Sequence, residues 1–154
     1  MKESATPESQ LNAFIARYSP EIASQAQVVL AKMRKLVRGA IELVYDNYNA
    51  LVIGLGPTER ASDAIFSIAL YPRWINLFFF PGFNLPDPAG LLKGSGNAVR
   101  RIQLEGPETL DRPEVRALIK EALAHADTPI ISKAKGRLII KSISSRQRPR
   151  RPAK

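Results

Sequence analysis

The longest apolar stretch of the chain runs from Ala64 to Phe80, and the turn-forming sequence Tyr71-Pro72-Arg73 divides it. The β-branched and aromatic residues on both sides of this turn suit a buried, pleated surface. The pattern therefore predicts two antiparallel strands in the middle of a sheet, with helices covering it.

Apolar residues recur at three- and four-residue spacing in three other segments, which indicates amphipathic helices. The first two helices are predicted to begin after Thr6 and Ser19, because each can cap a helix and is followed by a proline suited to the first helical position. The second is predicted to stop at Gly39. The third is predicted to begin after Asp111, which would cap it.

Three further segments, 41–45, 51–55 and 99–104, have the apolar pattern of strands, and 137–144 is a candidate edge strand. Short links between consecutive strands favour an antiparallel meander. We therefore predict an α+β fold with two N-terminal helices, an antiparallel sheet of about five strands, a closing helix and a basic C-terminal tail.

The length of 154 residues suits one domain with one hydrophobic core. We predict this domain at 7–131 and a C-terminal extension at 132–154, whose last ten residues are expected to be disordered because they have almost no apolar content. Cysteine is absent, and no apolar run reaches the length of a membrane span. These features predict a cytoplasmic protein without disulfides or thiolate metal sites.

The net charge of +9 resides in the C-terminal segment. Residues 1–132 contain 14 basic and 14 acidic side chains, whereas 133–154 contain nine basic and no acidic ones. Such a segment can bind nucleic acid, a ribosomal surface or another polyanion by counterion release. Alternatives are a tail that only increases solubility and one that contacts an acidic protein or a membrane surface. The candidate nucleic-acid residues are Lys141, Arg146, Arg148, Arg150 and Arg151.

The long loop at 81–96 is rich in proline and glycine, which is typical of functional or mobile loops. A small ligand between this loop and the sheet is our first functional hypothesis, and it implies a non-catalytic binding or accessory protein. A flexible turn is the favoured interpretation of the glycine-rich end of this loop, and an anion site is the alternative. The anion site would use Lys93, Gly94, Ser95, Gly96, Arg100 and Arg101.

Three aromatic residues, Trp74, Phe78 and Phe80, share one strand face. They could stack on RNA bases, but core packing is the favoured interpretation. His125 is the only histidine and is expected to be structural or solvent-facing at a helix end. We find no catalytic constellation, metal site or cofactor motif, so an enzyme is the least favoured hypothesis.

Three segments carry a family resemblance: FSIALYPRWINLFFFPG at 66–82, LLKGSGNAVRRI at 91–102 and the helix at 113–124. Over about residues 10–126, the chain resembles the YdhG-like family of small bacterial proteins, catalogued as a domain of unknown function. The resemblance implies a frataxin-like α-β-α sandwich with helices on one face of the sheet.

One member of that family has been proposed as an iron chaperone, so the resemblance also raises an iron role. Such a site would need clustered carboxylates on the first helices. The region offers widely spaced ones, at Glu3, Glu8, Glu21 and Glu42. Basic residues dominate the end of the second predicted helix, so we disfavour this role.

Overall fold

The structure is a computed structural model and describes residues 5–82, 84–95 and 99–152. Its helices are α1 (Pro7–Ala16), α2 (Pro20–Leu36) and α3 (Pro113–Ala124), with short 3-10 helices at Ala61–Asp63 and Pro107–Asp111. Its strands are β1 (Ile41–Asp46), β2 (Leu51–Gly56), β3 (Phe66–Leu70), β4 (Ile75–Phe79), β5 (Arg100–Leu104) and β6 (Leu138–Ile143). The α+β class is therefore confirmed.

The first two helices begin where hydroxyl caps predict. The Ser9 N–H donates to the hydroxyl of Thr6 (3.1 Å), and the Ile22 N–H donates to that of Ser19 (3.3 Å). Each bond satisfies one of the unpaired donors of a first helical turn. Among the described residues, no helix is long and apolar enough to cross a membrane.

The predicted cap of α3 is wrong. Arg112 occupies the N-cap position and makes no side-chain capping bond. Asp111 instead ends the preceding 3-10 helix, where its carboxylate pairs with Lys32 and Arg116. The carboxylate thus ties α2 to the start of α3.

The sheet has the order β5-β4-β3-β2-β1-β6. Neighbours from β5 to β1 are antiparallel, but β6 pairs parallel with β1. The candidate edge strand is confirmed, and the expectation of an entirely antiparallel sheet is wrong. A Cβ at Gly136 would lie 2.4 Å from the carbonyl oxygen of Ala40, so the returning chain passes the start of β1 and then runs in the same direction.

A glycine makes this return path possible. Gly39 has a φ of +85°, and a Cβ there would lie 2.0 Å from the carbonyl oxygen of Ile131. The backbone leaving α3 therefore packs directly against the turn that follows α2. Residues 132–154, predicted as an extension, supply β6 to the same sheet.

The core lies between the helices and one face of the sheet. Buried residues facing the helices include Val44, Ile53, Ile68 and Leu77, and they pack with Leu30 in one cluster. The strand residues between them alternate to the other face, which we call the open face. Because the helices pack on the other side of the sheet, a ligand that binds on the open face does not have to displace core side chains.

The favoured core packing of Trp74, Phe78 and Phe80 is wrong. Phe79 is fully buried and meets Phe66 edge to face at 5.5 Å, whereas Trp74 is 41% exposed. Phe78 and Phe80 are only partly buried and stack on each other at 6.3 Å. Alternation along β4 puts these three aromatics on the open face, since its intervening residues fill the core.

Candidate functional site

The C-terminal segment folds against the body of the protein. After β6, the Ser144 N–H donates to the carbonyl of Asp46 (2.9 Å), and the Arg148 N–H donates to that of Tyr48 (2.9 Å). These bonds carry the chain along the β1–β2 turn. The expected disorder of the last ten residues is therefore wrong for 145–152, while 153 and 154 lie outside the described residues.

Arg150 anchors this segment. Its guanidinium donates to Oδ1 of Asp46 (2.8 Å) and to the carbonyl of Asn47 (2.5 Å), and both charged side chains are 2% exposed. The same group lies 5.8 Å from the centroid of the Tyr18 ring. The buried, paired guanidinium of Arg150 is therefore not exposed to a phosphate, unlike those of the other candidate arginines.

Two further residues, Gln147 and Arg151, hold the C-terminal segment. Gln147 donates to the carbonyl of Asp46 (3.0 Å) and accepts from Arg17 (2.6 Å), which also lies 3.4 Å from the Asp46 carboxylate. The Arg151 guanidinium donates to the carbonyl of Arg17 (3.1 Å) at the end of α1. A cation there complements the helix dipole.

The anchored segment forms one wall of a groove of about 810 Å³. The opposite wall is the β3–β4 turn, which carries Tyr71 and Trp74 with ring centroids 5.8 Å apart. We call this depression the tail groove. It is lined by Asn49, Tyr71, Pro72, Arg73, Trp74, Arg148, Pro149, Arg151 and Pro152.

The tail groove combines an exposed indole with positive charge. Arg73, Arg148 and Arg151 contribute three guanidinium groups, and no carboxylate of the described residues lines it. Within the described part of the chain, neither Arg73 nor Arg148 forms an ion pair. Cations of this kind remain available to an anionic ligand, and the indole offers a flat surface for stacking.

A second depression of about 450 Å³ shares Arg73 and Trp74 with the tail groove. It also contains the carboxylates of Glu21 and Glu105, together with the amide of Gln103. The charge around Trp74 is therefore asymmetric: cationic toward the C-terminal segment and mixed toward α2. An anionic backbone is favoured only on the cationic side.

The other two candidate tail residues lie elsewhere. Lys141 is on β6 and donates to the carbonyl of Glu59 (3.2 Å). Arg146 is exposed and is not part of the tail groove. Of the five candidates, only Arg148 and Arg151 are therefore brought together.

The proposed anion loop is partly engaged in sheet pairing. The backbone N–H groups of Lys93 and Arg101 donate to each other's carbonyls at 2.8 and 2.9 Å, so these two donors are not available to an anion. Gly94 has a φ of +122°, as a turn into a strand requires. The Arg100 guanidinium donates to the carbonyl of Val99 (2.9 Å). Ser95 is exposed, and Gly96 lies outside the described residues.

Two of the carboxylates considered for an iron site, Glu8 of α1 and Glu42 of β1, are paired with one cation. Arg34 of α2 binds both oxygens of Glu8 (2.9 Å) and both oxygens of Glu42 (2.7 and 2.8 Å). The Arg34 guanidinium lowers the pKa of Glu8. Glu3 lies outside the described residues. Among the described residues, no group of three or more His, Cys, Asp and Glu side chains could hold a metal ion.

The lone histidine is solvent-facing, as expected. His125 follows the last residue of α3, its side chain is 62% exposed, and it contacts only Glu121 of the preceding turn among the described hydrogen bonds (3.1 Å). This arrangement suits a helix end rather than a catalytic base.

Comparisons with protein-family models, curated proteins and solved structures found no match to this chain. The candidate site therefore rests on its own geometry. Sequence reasoning missed Asn49, Tyr71, Arg73 and Trp74 as partners of the C-terminal arginines. One feature of the sequence pointed to this site. Trp74 directly follows the Pro72-Arg73 turn, and residues next to a surface loop are often exposed.

Proposed function

We propose that this protein is a non-catalytic binding protein that holds single-stranded nucleic acid in the tail groove. The observation that carries the proposal is the half-exposed indole of Trp74 between Arg73 and the arginines of the anchored C-terminal segment. Proteins that bind single strands combine aromatic platforms for the bases with cations for the backbone. Both components meet in this groove.

Each part of the groove has a distinct role in the proposal. Trp74, supported by Tyr71, stacks on an unpaired base, which a duplex would keep inside its own stack. Arg73 and Arg148 pair with phosphate oxygens on either side of that base. Arg150 contacts no ligand: it positions Arg148 and Arg151 by fixing the segment between them.

Trp74 itself provides the readout, because it is the only tryptophan in the sequence. We expect a single-stranded 12-mer RNA or DNA to quench the intrinsic fluorescence of the full chain saturably. A duplex of the same sequence should quench it far less. Absence of quenching at low salt, or equal quenching by duplex, would contradict the proposal.

The electrostatic part is tested with two neighbouring arginines. Arg148→Gln should weaken binding and reduce the slope of log affinity against log salt by about 0.7, the value for one phosphate contact on a single strand. Arg146→Gln makes the same change of charge two residues away and outside the groove, so it should change both quantities much less. Equal effects of the two variants would favour a diffuse polyanion surface.

The stacking part is tested with Trp74→Leu and a fluorescently labelled strand. Loss of one base–aromatic stack costs about 1–3 kcal/mol, so affinity should fall about 5- to 150-fold. Trp74→Phe keeps a ring and should retain most of the affinity. If Leu and Phe behave alike, the ring does not stack on a base.

The finer assignments are also proposals. We propose a frataxin-like arrangement related to the YdhG-like family, supported by helices on one face of a largely antiparallel sheet. The parallel β6 distinguishes this chain from the entirely antiparallel sheet that we expected. We further propose residence in the bacterial cytoplasm, where a protein without cysteine needs no oxidising compartment.

A further inference from the structure

A separate depression lies on the open face of the sheet, where β2 has two glycines, Gly54 and Gly56. It has a volume of about 260 Å³. Its floor is formed by β1, β2 and β3, and its walls by the 61–64 turn and the ring of Phe80. We call it the sheet pocket. It is lined by Leu43, Tyr45, Gly54, Ala61, Ser62, Ala64, Ser67 and Phe80.

Two glycines of β2 shape the sheet pocket in different ways. A Cβ at Gly56 would lie 2.9 Å from Cα of Ala64, so this glycine is needed for the close approach of the 61–64 turn. A Cβ at Gly54 would meet its nearest neighbours at 3.7 Å or more, which is ordinary contact. Neither backbone conformation nor packing requires Gly54, yet its missing side chain leaves the pocket open.

The lining is apolar with a small polar component. Leu43, Ala64 and Phe80 contribute hydrocarbon surface, and in the part of the chain that the structure describes no charged residue lines the pocket. The hydroxyl oxygen of Tyr45 is buried and has no hydrogen-bond partner among the described residues. Burial raises the pKa of Tyr45, so the hydroxyl is a neutral donor at neutral pH. Ser67 adds a second hydroxyl and is 7% exposed.

We infer that the sheet pocket binds a small neutral molecule with one aromatic or aliphatic ring and one hydrogen-bonding group. Typical pockets for drug-sized ligands begin at about 300 Å³, so the smaller volume favours a single or fused ring. A buried hydroxyl without a partner is unfavourable, and a polar group on the ligand would satisfy it. The absence of lining charges disfavours an ionic ligand.

This inference is independent of the proposed nucleic-acid site. Trp74 and Phe80 lie on the same face of the β4 segment but at its opposite ends. Six residues of extended chain span about 20 Å. Over the described ranges of the chain, the two sites share no lining residue. A substitution in the sheet pocket should therefore leave binding of single-stranded nucleic acid unchanged.

The pocket is tested by titrating the full-length protein with phenol and with toluene, followed by amide NMR shifts. We expect saturable shifts at Gly54, Ala64 and Ser67. Gly54→Val fills the pocket with a residue that strands accept, and it should lower phenol affinity at least tenfold. Val52→Ile also adds bulk to the open face of β2 but outside the pocket, and it should change affinity less than twofold.

Tyr45→Phe separates the chemistry of the site from its shape. It removes a hydroxyl that has no partner to lose, so the fold should be retained even if Gly54→Val is unstable. Phenol affinity should fall several-fold while toluene affinity stays the same. The inference is overturned if wild type shows no saturable shift at these amides, or if phenol binds Gly54→Val as tightly as wild type. An equal loss of both probes in Tyr45→Phe would overturn the hydrogen-bonding part.

Discussion

The buried ion pair between Arg150 and Asp46 makes a strong prediction about stability. Arg150→Met keeps most of the side-chain volume but removes the charge and the donors to Asp46 and to the β1–β2 turn. Asp46 then remains 2% exposed without its principal partner. We expect marked destabilisation of a protein whose C-terminus looked dispensable.

The magnitude follows from burial and from the remaining partner. Breaking a fully buried ion pair by removing one member costs about 3–5 kcal/mol. Arg17 still lies 3.4 Å from the Asp46 carboxylate and offsets part of this cost. The lost contact with the Tyr18 ring adds about 0.5–2 kcal/mol. We therefore expect about 3 kcal/mol, or a fall in Tm of about 6–12 °C for a protein of this size.

Urea unfolding of four proteins measures this effect: wild type, Arg150→Met, Asp46→Asn and the double variant. The double variant should be less destabilised than the sum of the single ones, because no buried charge is left unpaired. Arg148→Met is the matched control: it lies two residues earlier and is exposed, so it should change stability by less than about 0.5 kcal/mol.

Two outcomes would refute this reasoning. If Arg150→Met and Arg148→Met have the same stability, the guanidinium is not buried against Asp46 in solution. If deletion of 145–154 leaves the Tm unchanged, the whole segment is unanchored. The second result would also remove one wall of the tail groove.

Two other predictions concern the N-terminal half. Gly39→Ala should lower the free energy of unfolding by about 1–3 kcal/mol in thermal or urea unfolding, because a Cβ there meets a carbonyl oxygen at a left-handed φ. A neutral effect would mean that the segment after α3 does not pack there. The pKa of Glu8 is lowered from 4.5 mainly by its hydrogen bonds with Arg34, so its stabilisation is present above pH 4.5 and lost as pH falls through the lowered value. Because its side chain is half exposed, solvent screening keeps this effect within about 1 kcal/mol. Glu8→Gln should abolish it, and an unchanged pH profile of stability in that variant would contradict the assignment.

Local chemistry made several elements predictable. The hydroxyls of Thr6 and Ser19 cap the helices by accepting hydrogen bonds from N–H groups that lie three residues later in the sequence. The turn at Pro72 and the candidate edge strand at 137–144 were also predictable, because both depend on short-range composition. Asp111 had an equally good capping pattern, but Lys32 from a distant helix binds its carboxylate instead. The spacing of residues along the chain does not reveal that Lys32 will bind the carboxylate that would otherwise cap α3.

The face of β4 that becomes buried was not predictable. Every second residue of a strand shares a side, and both sides of this strand carry large apolar residues, with Asn76 the one polar residue between Trp74 and Phe78. Only the packing of helices on one face buries Phe79 and leaves Phe78 on the other. The same choice exposes Trp74 and opens the sheet pocket over Gly54.

The sequence by itself determined the α+β class, the starts of α1 and α2 and the concentration of positive charge near the C-terminus. Each of these depends on residue types within a few positions of one another. The tertiary structure alone decided which of these basic side chains line a groove and which are buried in an ion pair. Arg148 and Arg150 are both arginines of the same basic segment, yet one lines a groove and the other is buried against Asp46. The difference arises because the return of the chain beside β1 brings a buried carboxylate, 104 residues away in sequence, to one of them.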